Sequence, residues 1–220
     1  MCNSVNRMSP KSPDPDVRAA LVEAAARLLA EEGPESLTTR RVAAEVEVST
    51  MAVYTHFGGK EELVRAVVWE GFARLGQRLG AVHHTRDPVA DLGALGYAYR
   101  AHARTSPHLY TVMFGGQNIP EYCPTAQDMA HGLETFEVLT SGVQRCIDAG
   151  RFDDHGAEAM ATQLWAASHG AATLELAGFL GSPKATETCW RELITHVSVG
   201  FGDQPELVTA SLRKARQRAR

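Results

Sequence analysis

The sequence predicts an all-α chain, with a three-helix unit of helix-turn-helix type at its N-terminal end and a larger helical domain behind it. Three observations predict this. Apolar residues recur at helical spacing in each long segment. Pro, Gly, Ser, Thr and Asp stand where such segments would begin and end. No segment shows the clean period-two alternation of a half-buried strand, and there is no internal repeat. The 220 residues, 44% hydrophobic and 22% charged, have the balance of a globular protein with one large domain or two small ones.

Residues 1–14 mix Ser, Pro, Asn and Lys without periodicity and are expected to form a flexible arm. Asp14-Pro15-Asp16 is a helix start, with an Asp able to cap and Pro in the first turn. Val17, Leu21, Ala24, Ala25 and Leu28 then form one apolar stripe, and Gly33-Pro34 ends the helix. A short helix over Thr38 to Val46 has Thr38 at its N-cap and Val42, Ala43 and Val46 inward. A third runs from Ser49 to Phe57, with Ser49 able to cap. After Gly58-Gly59 a fourth opens at Lys60, burying Val64, Val68, Phe72, Leu75 and Leu79. Further helices are expected over Pro88 to Thr105, Pro107 to Phe114, Thr125 to Ala149, Gly156 to Leu180 and Thr186 to Phe201. The divisions are 15–62 for the helix-turn-helix domain, 63–202 for the larger domain, and 203–220 for a basic C-terminal tail in which Pro205 to Leu212 can form a short helix.

Composition excludes several classes of function. No run reaches the roughly 18 uncharged apolar residues of a bilayer span, and the N-terminal residues lack the apolar core of a signal peptide. Cys2, Cys123, Cys146 and Cys189 make no CxxC pair and read as reduced thiols, so a cytoplasmic protein is expected. The net charge of −4 disfavours nucleic-acid binding as a property of the whole surface, but leaves room for a small basic reading face. Five basic side chains lie in Arg213 to Arg220; they read as a solvated end or as a source of non-specific DNA attraction.

Two short helices about three residues apart, the second carrying small polar and aromatic side chains, have helix-turn-helix spacing. The residues are more specific than the spacing. Leu37-Thr38-Thr39-Arg40-Arg41-Val42-Ala43-Ala44, Val48-Ser49, Val53-Tyr54-Thr55-His56-Phe57 and Lys60-Glu61-Glu62-Leu63 together resemble the DNA-binding domain of the TetR family of repressors. The resemblance implies DNA contacts from Thr38, Thr39, Arg40, Arg41, Ser49, Thr50, Met51, Val53, Tyr54, His56 and Lys60. The chemistry suits those roles: Thr38 offers a hydroxyl and free N–H groups to a phosphate, and Ser49, Thr50 and Met51 begin the helix that would enter the major groove. Tyr54 and His56 have polar tips that reach phosphates, and Arg40 and Arg41 either add charge or form an ordinary solvated face. Phe57 reads as core. Two positions depart from the family. Glu47 stands in the turn where Gly is usual, at a position favouring positive φ, at a cost of roughly 1 kcal/mol. Met51 replaces a common Gly.

The resemblance further implies that the larger domain binds a small effector and forms a homodimer, that the operator is a palindromic double-stranded DNA, and that the effector releases the repressor. Trp165-Ala166-Ala167-Ser168-His169-Gly170 resembles a subset of the family with a Trp-x-x-x-His-Gly motif in this domain. Trp165 and His169, four apart, share a helix face. Trp190, Leu193, Val197 and Phe201 form a stripe on the helix over Thr186 to Phe201, which with its predecessor would build a four-helix dimer interface. Pocket candidates are Phe72, Tyr99, His102, Tyr110, Met113, Phe114, Phe136, Leu139, Trp165 and His169, an apolar set with a few polar tips. The helix from Lys60 to about Leu79 joins reader to body and is expected to carry the coupling. No cofactor or metal is expected. There is no Gly-x-Ser-x-Gly elbow, and Gly58-Gly59-Lys60 is not a phosphate-binding loop. His83, His84, His102, His108, Cys123 and His131 have no zinc spacing, and an enzyme is not expected. The alternative is a helical ligand carrier or scaffold without specific DNA binding.

Overall fold

The computed structural model describes residues 14–115, 119–120 and 122–218, so the expected arm, apart from Asp14, lies outside the described residues. Helix α1 (Pro15–Glu32) starts on Asp14, whose carboxylate accepts from the Asp16 N–H at 3.0 Å. A 3₁₀ turn, Pro34–Ser36, leads to α2 (Thr39–Glu45) and α3 (Thr50–Phe57), and then to α4 (Lys60–Gly80). The body continues with α5 (Pro88–Thr105), α6 (Pro107–Gly115), α7 (Ala126–Asp148), α8 (Ala157–Leu176), α9 (Pro183–Gly200) and α10 (Pro205–Arg218). No β-strand occurs among the described residues, and among them no helix is long and apolar enough to cross a membrane.

Three boundaries differ from the sequence reading. The helix expected to reach Leu180 stops at Leu176, because Gly178 turns to φ +79° and Phe179 N–H bonds back to the Leu174 carbonyl at 2.9 Å. α9 begins at Pro183 rather than Thr186: the Ser182 hydroxyl accepts from Ala185 N–H, with Pro at the first helical position. The third concerns 203–220. This stretch is no loose basic tail but a 14-residue helix up to Arg218 that seats Val208, Leu212 and Ala215 in the body. It lies on α5 where Gly93 leaves room; a Cβ there would come within 2.7 Å of Leu212 Cδ2. Lys214 pairs with Asp87 and Arg218 with Asp91, each at 2.7 Å, so their charge is committed inside the domain.

Two large apolar cores divide the molecule unevenly, and a small third one joins Ile194 of α9 to Val208 and Leu212 of α10. The first gathers Leu21 and Leu28 of α1, Val42 of α2, Val53 and Phe57 of α3, and Leu63, Val64 and Val67 of α4. It also includes Leu109 and Val112 of α6. The second fills the body with the rest of α4 and with α5 to α9, and takes Tyr110 and Met113 from the other side of α6. Residues three or four apart share one side of a helix, so α6 has one face in each core. The helix-turn-helix unit is therefore built directly onto the body through α6 as well as through α4.

Candidate DNA-reading head and ligand cavity

The reading head is local chemistry. Thr38 caps α2, its hydroxyl oxygen accepting from Arg41 N–H at 3.1 Å, and Val42 and Ala43 turn inward one turn later. The turn that follows contains Glu47 at φ +56°, the one non-glycine residue at positive φ among those described. The sequence expectation for this position holds: Val48 N–H bonds back to the Ala43 carbonyl at 2.9 Å, which closes α2 and redirects the chain into α3. Ser49 occupies the N-cap of α3 and is exposed, but its side chain makes no capping bond.

On α3, Met51 is 68% exposed and Tyr54 48% exposed, three apart on one face. Among the described residues these are two of the few large hydrophobic side chains left exposed. Thr39, Thr50, His56 and Lys60 are half-buried around them and Arg40 is exposed. Lys60 Nζ reaches the Pro34 carbonyl at 3.4 Å, and Arg41 is bound to Glu32 at 2.6 Å on the outer surface. One expected contact is corrected. Val53 is 0% exposed and belongs to the core between α3 and its neighbours, so it supports the head and cannot touch DNA. Phe57 is buried as expected, with the Arg18 guanidinium over its ring.

The body encloses a cavity of about 500 Å³ between α4, α5, α6, α7 and α8. Of the sequence candidates, Phe72, Tyr99, Met113, Phe114, Phe136, Leu139 and Trp165 line it. His102, Tyr110 and His169 do not. Tyr110 and His169 stand behind Tyr99: the Tyr99 hydroxyl lies 2.9 Å from that of Tyr110 and 3.1 Å from His169 Nδ1, and Tyr110 lies 2.8 Å from the same nitrogen. Burial pushes both tyrosines up, Tyr110 to about 12, and holds the His169 imidazole below its ordinary value. His102 is wholly buried, with no partner for either ring nitrogen; burial, reinforced by Arg78 and Arg74, lowers it to about 4.

Sequence reasoning missed most of the α7 wall, Met129, Gly132, Leu133 and Thr135, and the ion pair at its start. Asp128 lines the cavity and is 4% exposed. It closes a capping box with Thr125, accepts from the Trp69 indole at 2.6 Å and pairs with Arg65. Arg65 also reaches Glu61 and Glu62 in the first turn of α4, next to the head. Burial alone would push Asp128 up; the bonds from Thr125 and Trp69 and the charge of Arg65 outweigh it and hold the carboxyl below its usual range. No spacing rule could have joined positions so far apart in the chain. The expected dimer stripe is also revised: Trp190 and Phe201 are buried in the protomer's own core, whereas Leu193 and Val197 remain half-buried. Among the described residues no three His, Cys, Asp or Glu side chains converge on a metal position.

Comparison with known proteins accounts for both halves. Residues 21–67 match the bacterial regulatory proteins of the tetR family, and residues 92–197 match a tetracyclin repressor-like C-terminal domain. An uncharacterized HTH-type transcriptional regulator of Mycobacterium tuberculosis is 27% identical over 191 residues, covering 84% of this chain and 81% of that protein. An HTH-type transcriptional repressor of the same species is 38% identical over 74 residues, 34% of this chain and 37% of the repressor. The fold is shared with a bacterial regulatory protein in the tetR family from Rhodococcus RHA1, with a TM-score of 0.71 at 21% identity over 89% of this chain and all of that one. With a capped helix-turn-helix head joined to a hollow helical body, the chain belongs to the TetR family of transcriptional regulators.

Proposed function

We propose that the protein is a dimeric repressor that reads a palindromic operator with α2 and α3 and releases it when a small apolar or amphipathic molecule occupies the cavity. The observation that carries this reading is the double role of α6. Leu109 and Val112 lie in the core of the head, whereas Met113 and Phe114, on the same two turns, line the cavity. A ligand that prefers one placement of α6 and α4 also prefers one placement of the head. By linkage it weakens DNA binding by the factor by which DNA weakens its own. Coupling of about 1–3 kcal/mol, the usual range, changes the affinity 5- to 150-fold.

The reading face consists of Ser49, Thr50, Met51 and Tyr54 at and along α3, with Thr38, Thr39 and Arg40 beside it for the phosphates. The dimer is built by α8 and α9. Ala166, Gly170, Thr173 and Ala177 are exposed on and just past α8, small side chains that let a second helix approach closely, with Leu174 46% exposed among them. Two such helices and their symmetry mates form a four-helix contact.

Selection of bound duplexes from a random-sequence library by the full-length protein tests this reading. It predicts enrichment of an inverted repeat whose half-sites lie about one helical turn apart or a multiple of it. Recovery of no enriched sequence at low or moderate salt would favour the carrier or scaffold alternative.

A further inference from the structure

Resting on the reading of the cavity as the effector site, we infer that its ligand is an uncharged molecule with a small polar end, an alcohol or phenol rather than a carboxylate or an ammonium ion. Among the described residues the lining carries a single ionised side chain, that of Asp128, and no Lys, Arg or His. An anion entering this space would lose its hydration without meeting a cation, the costliest form of burial. The start of α7 borders the cavity at Pro124 and Asp128, where the N–H groups of a helix start would otherwise suit an anion. That place is taken. Asp128 already accepts there from the Thr125 backbone and hydroxyl, at 2.6 and 2.9 Å, so an incoming carboxylate would face another carboxylate.

Nor is Asp128 available to a ligand cation. It pairs with Arg65 and accepts from Trp69, so its charge is answered from α4, within the protein.

The remaining polar tips are neutral: the hydroxyls of Tyr99, Tyr122, Thr135, Thr162 and Ser168 and the indole N–H of Trp165. Thr135 and Thr162 commit their hydroxyl protons to their own helix, to the Gly132 carbonyl at 2.8 Å and the Glu158 carbonyl at 2.9 Å. At Tyr99, two hydroxyl protons are shared among the two tyrosine oxygens and His169 Nδ1 when the imidazole carries its proton on Nε2. Tyr99 is the member of the trio that lines the cavity. Around these tips the wall is aromatic and aliphatic, Phe72, Phe114, Phe136 and Trp165 included. An apolar body ending in O–H fits both parts.

Three probes of equal chain length separate the possibilities: 1-decanol, decanoate and decylammonium, titrated into the full-length protein at pH 7.5 by calorimetry. 1-Decanol is expected to bind at least tenfold more tightly than either charged probe. Met129→Arg, which places a cation on the exposed rim of the cavity (Met129 is 56% exposed), is expected to raise decanoate affinity at least tenfold. Tyr99→Phe, which keeps the ring and removes the hydroxyl, is expected to weaken 1-decanol at least threefold. Equal or tighter binding of decanoate or decylammonium by the unaltered protein would overturn the inference while leaving the cavity as an effector site. Failure of all three probes to bind, to the unaltered protein and to Met129→Arg alike, would overturn both.

Discussion

Replacing Asp128 by Asn keeps the shape of the side chain and removes its charge at the point where the cavity meets α4. Asp128 is 4% exposed and accepts from Thr125, Trp69 and Arg65. An amide would set its own N–H₂ against at least one of those donors. Arg65, 8% exposed, would keep Glu61 and Glu62, whose side chains are more than half exposed and compensate weakly. Removing one partner of a buried pair typically costs about 3–5 kcal/mol, a large part of a total stability of about 5–15 kcal/mol. Arg65→Met should cost a similar amount, since it strands the carboxylate. Arg65→Met combined with Asp128→Leu removes both charges and leaves an apolar contact beside Trp69 and Tyr122; what remains to be lost is the Asp128 half of the Thr125 capping box and the Trp69 indole bond, about 1 kcal/mol each. The double variant should therefore be more stable than the sum of the singles predicts by at least about 2 kcal/mol. Urea unfolding of the unaltered protein, Arg65→Met, Asp128→Leu and the double variant, followed by helical circular dichroism at pH 7.5, measures the cycle. Singles that each cost under about 1 kcal/mol and add in the double would match an exposed ion pair and refute the reasoning.

His102 predicts an acid-labile body. An unfolded chain binds a proton at this residue near its ordinary 6.5 and the folded one only near about 4, so stability falls as pH drops through that window, by up to about 3 kcal/mol. His102→Leu should reduce that slope, leaving the part that His169 contributes, and an unchanged slope would contradict the burial of a neutral imidazole. Glu47→Gly relieves the left-handed backbone and removes an acid from the DNA side; a stability gain of up to about 1 kcal/mol and tighter operator binding at low salt are expected, checked by urea midpoint and gel shift. On α3 the two neighbours part: Val53→Ala should cost about 2 kcal/mol of stability, whereas Tyr54→Phe should leave the urea midpoint in place and weaken DNA binding. The opposite assignment of effects would show that the helix is seated the other way round.

The head was legible because its signals are local. Asp14, Thr38 and Ser49 mark helix starts, Glu47 stands at a turn, and apolar spacing places Val42 and Phe57 inside. The exception, Val53, shows that family resemblance assigns a helix to DNA without assigning every residue on it. The cavity was legible only as a set of aromatic residues. Periodicity gives the side of a helix a residue occupies, but not the depth, and so it could not tell Tyr99 from Tyr110 and His169 one layer behind it. It could not pair Arg65 with Asp128, which meet only once α4 and α7 are packed. Charge density misled at the C-terminal end, where Val208, Leu212 and Ala215 already had helical spacing and the basic residues find Asp87 and Asp91. Trp190 looked like an interface residue and proved to be core, because the sequence does not say which apolar face of a two-faced helix is covered first.

The measurement that bears most directly on α2 and α3 as a sequence-reading head is the affinity of the full-length protein for its selected duplex and for a scrambled one, by fluorescence anisotropy at two salt concentrations. Specific binding at least about 10³-fold tighter than non-specific binding is predicted, with both affinities falling as salt rises, by about 0.9 log units per log of salt for each phosphate neutralised. Equal affinity for the two duplexes at both salt concentrations would contradict it.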